Sequence, residues 1–159
     1  MKNVHLIIDG NNLIHHDREL VRLAASHFDQ ARYRLLMRLS EIAGTLSYAK
    51  ITVVFDGRGG SVSSESPSPY LEVMFSPANL TADTVIERLA HESQTPADVL
   101  VVTSDRSERD TVEAAGASTM GCSNFLELLE QQRGEVAGRT RGTQRKDSGG
   151  RLGDFFPES

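Results

Sequence analysis

The chain of 159 residues is long enough for one ordinary folded domain and short for two. Its composition, with 38% hydrophobic and 25% charged residues, is that of an average globular protein and excludes collagen-like, disulfide-scaffold and wholly disordered classes. The formal net charge of -5 argues against a passive nucleic-acid coat protein, which would be basic, but not against an enzyme that holds cations with carboxylates.

A single cysteine, Cys122, excludes an intramolecular disulfide and a cysteine-based zinc site. No apolar run approaches the ~20 residues that a membrane-spanning helix needs. The first residues, MKNVHLIID, form too short an apolar stretch for the core of a signal peptide, and no small-residue cleavage site follows them. We therefore expect a reducing, intracellular setting in the cytoplasm, with no membrane partner.

The first half of the chain predicts two buried strands and two helices. Apolar runs rich in branched residues at 4–8 and 51–55 are typical of strands buried on both faces. A short helix is predicted over 18–25. A longer helix is predicted over 29–49, because apolar residues recur every three or four positions along one stripe. Gly, Ser and Pro in 57–69 predict a loop.

The second half repeats this alternation. Strands are predicted over 70–75, 99–102 and 117–120, and helices over 81–93, 105–115 and 123–132. Strands separated by helices indicate parallel βαβ units with right-handed crossovers. The expected fold is an α/β doubly wound sheet of five parallel strands, whose ligand lies beyond the carboxyl ends of the strands.

The end of the chain differs in composition from the rest. Residues 133–159 contain six of the 13 glycines and six Lys and Arg against four Asp and Glu, whereas 1–132 carries 11 basic and 18 acidic residues. A segment with so few apolar residues buries too little surface to offset its ordering entropy. We therefore expect one domain over 1–132, followed by a disordered Gly/Arg-rich tail over 133–159.

Four aspartates lie near the predicted carboxyl ends of the strands. Asp9 and Asp56 end the first two strands, Asp83 opens the helix after the third, and Asp105 follows the fourth. A single Asp at such a position is ordinarily a turn or capping residue. Several at one rim repel each other unless protons or a cation compensate. A hard divalent ion such as Mg²⁺ or Mn²⁺ prefers this kind of oxygen-rich site.

Other polar residues near these acids have two interpretations each. Glu87 follows Asp83 by about one helical turn and is either an outer ligand or water-positioning group, or a solvent-exposed helix residue. Asn12 can hydrogen-bond Asp9, the turn backbone or a phosphate. The hydroxyl groups of Thr103 and Ser104 either support the site or cap the following helix.

Four short motifs occur in order along the chain. Asp-Gly-Asn-Asn-Leu-Ile (9–14), Val-Phe-Asp-Gly (54–57), Phe-Ser…Thr-Ala-Asp (75–83) and Val-Thr-Ser-Asp-Arg (102–106) resemble those of YacP-like NYN domains, a branch of the PIN-like ribonuclease superfamily. The similarity covers about residues 3–132 and leaves the tail outside.

The resemblance implies a PIN-like three-layer fold with sheet order 3-2-1-4-5, and a metal-dependent endoribonuclease. By motif, Asp9, Asp83 and Asp105 correspond to the catalytic and metal-binding acids, and Asn12 to the motif asparagine. Asp56 corresponds to the acid after strand two. Thr84 stands where some related sequences have a second acid, for which Glu87 is the candidate replacement.

The leading hypothesis is cleavage of single-stranded RNA, free or within a larger ribonucleoprotein assembly, by water activated at an Mg²⁺ or Mn²⁺ ion. The candidate phosphate contacts are arginines, namely Arg18, Arg22, Arg58, Arg88, Arg106 and Arg109. The tail is either a solvated extension or an arm on which Phe155 and Phe156 stack on bases. The alternatives are a non-catalytic RNA or ribonucleoprotein binding module and a small-molecule phosphohydrolase.

Overall fold

The computed structural model of the protein describes residues 3–57 and 63–147. Its strands are β1 (His5–Asp9), β2 (Lys50–Phe55), β3 (Ser63–Ser68), β4 (Leu71–Phe75), β5 (Val99–Val102) and β6 (Ser118–Met120). Its α-helices are α1 (Gly10–His16), α2 (Arg18–Ser26), α3 (Phe28–Ala43), α4 (Ala82–Glu92), α5 (Arg106–Ala114) and α6 (Cys122–Asp147), and a short 3₁₀ turn (Pro96–Asp98) precedes β5.

The strands form one sheet in the order β3-β4-β2-β1-β5-β6. Five neighbouring strands of this sheet, β4, β2, β1, β5 and β6, are parallel to one another. They are the five predicted strands, and their arrangement confirms the predicted order 3-2-1-4-5. The sheet order reverses between β1 and β5, where Ile8 pairs with Val102. The carboxyl ends of β1 and β5 therefore lie side by side, at the point where doubly wound sheets bind ligands.

The loop prediction for 57–69 was wrong in part, because β3 pairs antiparallel with β4. The register between the two strands is interrupted between Glu65 and Ser68. Proline is tolerated in a strand at a sheet edge or a bulge, so Pro67 at this interruption does not prevent pairing of the flanking residues.

Two apolar layers cover the two faces of the sheet. On one face, Leu6 and Ile8 of β1 pack in a cluster that includes Leu35 of α3 and Phe125 of α6. On the other face, Ile7 packs in a cluster formed with α4 and α5. Neighbouring residues of β1 thus point into opposite layers, and both layers are fully buried, as the unbroken apolar run predicts.

Two helices differ from the predictions. Helix α1, which begins directly after β1, was not among the predicted helices. Helix α3 ends at Ala43 rather than at residue 49. The chain turns after Gly44, and Ser47 has a φ of 59°, which lies outside the range of a right-handed helix. Leu46 continues the apolar stripe from this turn and remains buried.

Helix α6 is longer than predicted. It was expected to end at residue 132, but its backbone continues to Asp147, so residues 133–147 of the predicted disordered tail are helical. Helix hydrogen bonds are local, and extending an existing helix adds one bond for each residue fixed, which requires no apolar burial. Residues 148–159, with Phe155 and Phe156, lie outside the described residues.

No helix within the described ranges is both long and apolar enough to cross a membrane.

Candidate active site

Asp9 is held at the carboxyl end of β1 by the start of α1. It is the N-cap of α1, and its Oδ1 accepts a hydrogen bond from the backbone N–H of Asn12 at 3.2 Å. Gly10 permits this tight transition, because a Cβ at that position would lie 2.3 Å from Cε1 of Phe55. The close packing of α1 on β2 leaves Asp9 only 5% exposed.

Asp83 enters the same region from the first turn of α4. Thr81 caps this helix, accepting a hydrogen bond from the backbone N–H of Thr84. Asp56, at the end of β2, accepts a second bond from the backbone N–H of Ala82 at 2.7 Å. Two side chains therefore fix the helix start that carries Asp83, and Asp56 connects it to the sheet.

Glu108 is the third acid at this point, and the sequence reasoning missed it. It lies in the first turn of α5 and is 1% exposed. The hydroxyl of Thr103 donates to its Oε1 at 2.9 Å, whereas its Oε2 is buried and meets no donor group among the described residues. A signal was present in the sequence, because Glu108 precedes the apolar Val112 by one turn and so lies on the face of the predicted helix that points to the core.

Asp9, Asp83 and Glu108 form the acidic centre. Each contributes one carboxylate oxygen, and these oxygens all lie within 4.8 Å of one another. Asp105, the third acid expected from sequence, is exposed and is the N-cap of α5, where its Oδ1 accepts from the N–H of Glu108 at 3.1 Å. Asp105 thus fixes the backbone of Glu108, and its role as a metal ligand stays a prediction.

The pKa values in the acidic centre are raised. Burial, followed by the negative charge of Asp9, raises the pKa of Glu108 to about 9. Burial raises the pKa of Asp9 to about 6, with smaller contributions from the charges of Asp83 and Asp56. Burial and the charge of Asp105 also raise the pKa of Asp83. The centre therefore holds protons near neutral pH unless a cation replaces them.

Asn12 connects the acidic centre to β5 and α6. Its Oδ1 accepts from the backbone N–H of Ser104 at 2.7 Å and from the Sγ of Cys122 at 3.1 Å, and the hydroxyl of Thr103 lies 3.3 Å away. Ser104 in turn accepts from the backbone N–H of Cys122 at 2.9 Å. Burial raises the pKa of the Cys122 thiol to about 11, so the thiol remains a neutral packing group.

The predicted supporting residues therefore have structural contacts in this region. Thr103 hydrogen-bonds Glu108, and the backbone of Asn12 hydrogen-bonds Asp9. The Ser104 side chain accepts from the backbone of Cys122, and the Asp56 side chain accepts from the backbone of Ala82. Glu87 is half-buried on α4 and does not belong to the described group of three acids.

The arginines predicted to contact RNA lie in separate places. Arg18 and Arg22 line a surface groove on α2, and Arg88 is exposed on α4. Arg106 and Arg109 lie on α5 and line a cavity together with Ser104. Arg58 lies outside the described residues.

Comparison with known proteins assigns the chain to a family. The family model of the YacP-like NYN domain matches residues 6–154. The chain belongs to this family. The match extends beyond residue 132, where the sequence similarity was expected to end. As a YacP-like NYN domain, the protein has a PIN-like nuclease fold, and its buried acids lie at the carboxyl edge of the parallel sheet.

Relatives in Bacillus subtilis support the assignment. The chain is 30% identical over 140 residues to the uncharacterized protein YacP of strain 168, covering 86% of this chain and 81% of that protein. Two crystal structures of Rae1 (YacP) from Bacillus subtilis, one of them of a point mutant, match with a TM-score of 0.76 and 27% identity. The match to the unmutated protein covers 91% of this chain, and the match to the mutant covers 89%. Each match covers 84% of the solved chain.

The acidic centre fits a hard divalent cation. Its ligand atoms are carboxylate oxygens, which Mg²⁺ and Mn²⁺ prefer. The buried Oε2 of Glu108 lacks a donor within the described part of the chain, and a cation would satisfy it. The raised pKa values also fit a cation. Burial and the repulsion between the acids favour protons at this site, and a bound cation would take their place.

Proposed function

We propose that the protein is a metal-dependent endoribonuclease that cleaves single-stranded RNA by hydrolysis. The observation that carries this proposal is the convergence of Asp9, Asp83 and Glu108, two of them buried, at the ligand-binding edge of a PIN-like nuclease fold. Membership in the YacP-like NYN family supports a nuclease-type hydrolase. A cytoplasmic location is part of this proposal, and the single, buried Cys122 is compatible with a reducing compartment.

In this proposal the three acids hold Mg²⁺ or Mn²⁺. When bound, the ion would act as a Lewis acid toward a phosphate oxygen and would lower the pKa of a water molecule toward neutral. Asp9 and Glu108 would hold the ion from the buried side of the site. Asp83 is half-buried and faces solvent on one side, so it is the acid best placed to orient an incoming water.

The remaining polar residues position these acids. Asp56 fixes the start of α4 and thereby Asp83, and Asp105 fixes the first turn of α5 and thereby Glu108. The amide oxygen of Asn12 accepts from Ser104, which follows β5, and from Cys122 of α6. Its NH₂ group is left to donate toward a phosphate oxygen or a water.

The proposal is tested by cleavage of a mixed pool of single-stranded RNA with Mn²⁺, followed by mapping of the new ends. We expect internal cuts by the wild type, and none by the Asp9→Asn variant, which keeps the fold by circular dichroism. Cleavage by Asp9→Asn at the wild-type rate would contradict the acidic-centre mechanism.

Two other outcomes would assign another function to the same fold. RNA binding that persists in EDTA, without cleavage in any divalent ion, would indicate a binding module. Turnover of a mononucleotide or sugar phosphate, without cleavage of RNA, would indicate a small-molecule phosphohydrolase.

A further inference from the structure

A polar cavity lies beside Ser104, one of the residues that support the acidic centre. It has a volume of about 300 Å³ and is lined by Ser104, Arg106, Arg109, Asp110 and Glu113, at the edge where α5 faces β6. Ser104 links this cavity to the acidic centre. Its backbone N–H donates to the side chain of Asn12, and the backbone N–H of Asn12 donates to Asp9. The cavity is therefore joined to the acidic centre by two hydrogen bonds, through Ser104 and Asn12.

Arg109 is held rigidly at the wall of this cavity. Its Nε donates to the hydroxyl of Thr119 on β6 at 3.1 Å, and that hydroxyl donates to the carboxylate of Glu113. A Cβ placed on Gly121 would lie 3.5 Å from Nη1 of Arg109 and 3.8 Å from Oγ of Ser104, so the end of the guanidinium points toward the Ser104 side. Neither Nη1 nor Nη2 has a hydrogen-bond partner among the described residues, which leaves this end free for a ligand.

The charges of the lining favour a neutral ligand over a phosphate. Two guanidinium groups and two carboxylates line the cavity, so their formal charges cancel. A phosphate bound to Arg106 or Arg109 would also face Asp110 and Glu113, and the repulsion would offset the attraction. A ligand with both acceptors and donors can use all four groups. In a nucleic acid, such a ligand is a base.

The donor and acceptor pattern distinguishes among the bases. Guanine presents two acceptors, O6 and N7, side by side, and an arginine fork binds them in the most common specific contact between proteins and bases. Guanine also has N–H donors on its other edge, which carboxylates accept. Adenine and uracil lack a pair of adjacent acceptors. Cytosine has such a pair in N3 and O2, but its N4 donors lie on the same edge, so a cytosine bound to the Arg109 fork would present no N–H group to carboxylates on the opposite side.

We propose that this cavity receives the base of a nucleotide next to the scissile phosphodiester and selects guanine there. The proposal rests on the proposed function for the identity of the polymer. Arg109 is the specificity-determining residue, and Asp110 or Glu113 accepts from the opposite edge of the base. RNA recognition of unpaired bases through their edges, with support from arginine, follows the same chemistry.

Cleavage of a random single-stranded RNA pool tests the selection. We expect wild-type ends to be enriched in guanine at one fixed position by roughly tenfold, the scale of one bidentate contact to a base. Arg109→Lys keeps the charge but has no fork, so it should cleave with little guanine preference. Arg133→Ala, an exposed arginine on α6, is the matched control and should keep the preference. Absence of enrichment, or enrichment that survives Arg109→Lys, overturns the proposal.

Binding in EDTA separates this proposal from the proposed function. We would measure fluorescence anisotropy with oligouridine carrying one guanosine, one adenosine or one 7-deazaguanosine, which lacks the N7 acceptor. The guanosine oligonucleotide should bind roughly tenfold tighter than both others, and Arg109→Lys should remove the difference. Equal affinities overturn the base proposal even if cleavage is observed. A guanosine preference without any cleavage supports the cavity while the proposed nuclease function fails.

A third result would assign the cavity to phosphate rather than to a base. If Arg109→Ala weakens all three oligonucleotides equally and Arg109→Lys restores them, the cavity binds phosphate, and the base proposal is wrong.

Discussion

The carboxyl groups of Asp9 and Glu108 meet in the interior of the protein, although one residue ends the first strand and the other begins a helix near the end of the sheet. Burial raises the pKa of both groups, and the negative charge of Asp9 raises that of Glu108 further. Two buried acids without a basic partner in the described part of the chain are costly to a fold. The proposed binding of a divalent cation would account for their presence, because it needs acids at this position.

Replacement of Glu108 separates its function from its structural role. Glu108→Gln keeps the shape and the bond from Thr103 but removes a metal ligand. We expect cleavage to fall by roughly 100-fold or more, beyond the 10–100-fold typical of losing a group that merely supports a ligand. Without metal at pH 8, the variant should be about as stable as the wild type, because Glu108, with its pKa raised to about 9, is largely protonated there and Gln is likewise neutral. Initial rates and thermal denaturation in EDTA measure the two effects.

Asp105→Asn is the comparison for Glu108→Gln. An Asn N-cap still accepts from the N–H of Glu108, so a purely positioning role predicts a loss of less than about tenfold, within the range for a supporting group. A loss as large as that of Glu108→Gln would instead make Asp105 a ligand, as the sequence motif implied.

Stability without metal should decrease as pH rises. The pKa of Glu108 is raised from 4.5 to about 9 in the folded state and that of Asp9 from 3.8 to about 6. The folded state therefore binds more protons than the unfolded state at intermediate pH. The resulting stabilisation is fully present at pH values below the unfolded pKa values of 3.8 and 4.5. It is lost as pH rises through the folded pKa values of about 6 and about 9.

The stabilising effect of Mn²⁺ should have the opposite pH dependence. A metal ligand must be deprotonated, so binding competes with these same protons. We expect the increase in Tm caused by Mn²⁺ to be larger at pH 8.5 than at pH 6. Thermal denaturation with Mn²⁺ and with EDTA at both pH values measures it, and Glu108→Gln should show a smaller difference between them. An increase that is equal at both pH values would contradict metal binding at these acids.

The sequence was sufficient for the parallel sheet but not for the full acidic centre. Buried strands show as unbroken apolar runs, and helices between them dictate parallel pairing, so the order of five strands follows once the family pattern is known. Asp9 and Asp83 were found because they follow strand ends. Glu108 was missed because a search at strand ends finds Asp105, whereas the buried acid lies three residues further along, in α5.

Two other features depended on contacts that no local pattern shows. The pairing of β3 with β4 joins a Ser-rich segment to an edge, where the backbone rather than the side chains provides the bonds. The bond from Ala82 to Asp56 joins residues of different βαβ units and reveals the role of Asp56 only in three dimensions.

Asp56 should act by holding α4, and two substitutions distinguish this from metal binding. Asp56→Asn retains a carbonyl oxygen that can accept from the N–H of Ala82, whereas Asp56→Ala does not. We expect Asp56→Ala to lower both Tm and cleavage and Asp56→Asn to retain most of each. Equal loss of cleavage in both variants, with Tm unchanged, would show that the carboxylate itself takes part in the chemistry.

Gly57 is expected to be essential for the junction between β2 and the residue that follows β4. A Cβ at this position would lie 1.7 Å from the backbone oxygen of Ser76, and the N–H of Gly57 donates to the Ser76 hydroxyl at 3.0 Å. Since the obstacle is backbone, Gly57→Ala must displace the end of a strand, and we expect it to cost about 3 kcal/mol or more of unfolding free energy. The shift would also move the neighbouring Asp56 and so reduce cleavage.

Gly134 is the matched control for this substitution. It lies in α6, and a Cβ added there would meet nothing within 4 Å in the described part of the chain, so alanine has open space. Gly134→Ala should raise the unfolding free energy by about 0.5–1 kcal/mol, because alanine loses less backbone entropy in a helix. Urea denaturation of the two variants beside the wild type measures both changes. If Gly57→Ala were as stable as Gly134→Ala, the contact with Ser76 would not constrain the junction, and the bonds of Asp56 to Ala82 and Asn11 would suffice to position it.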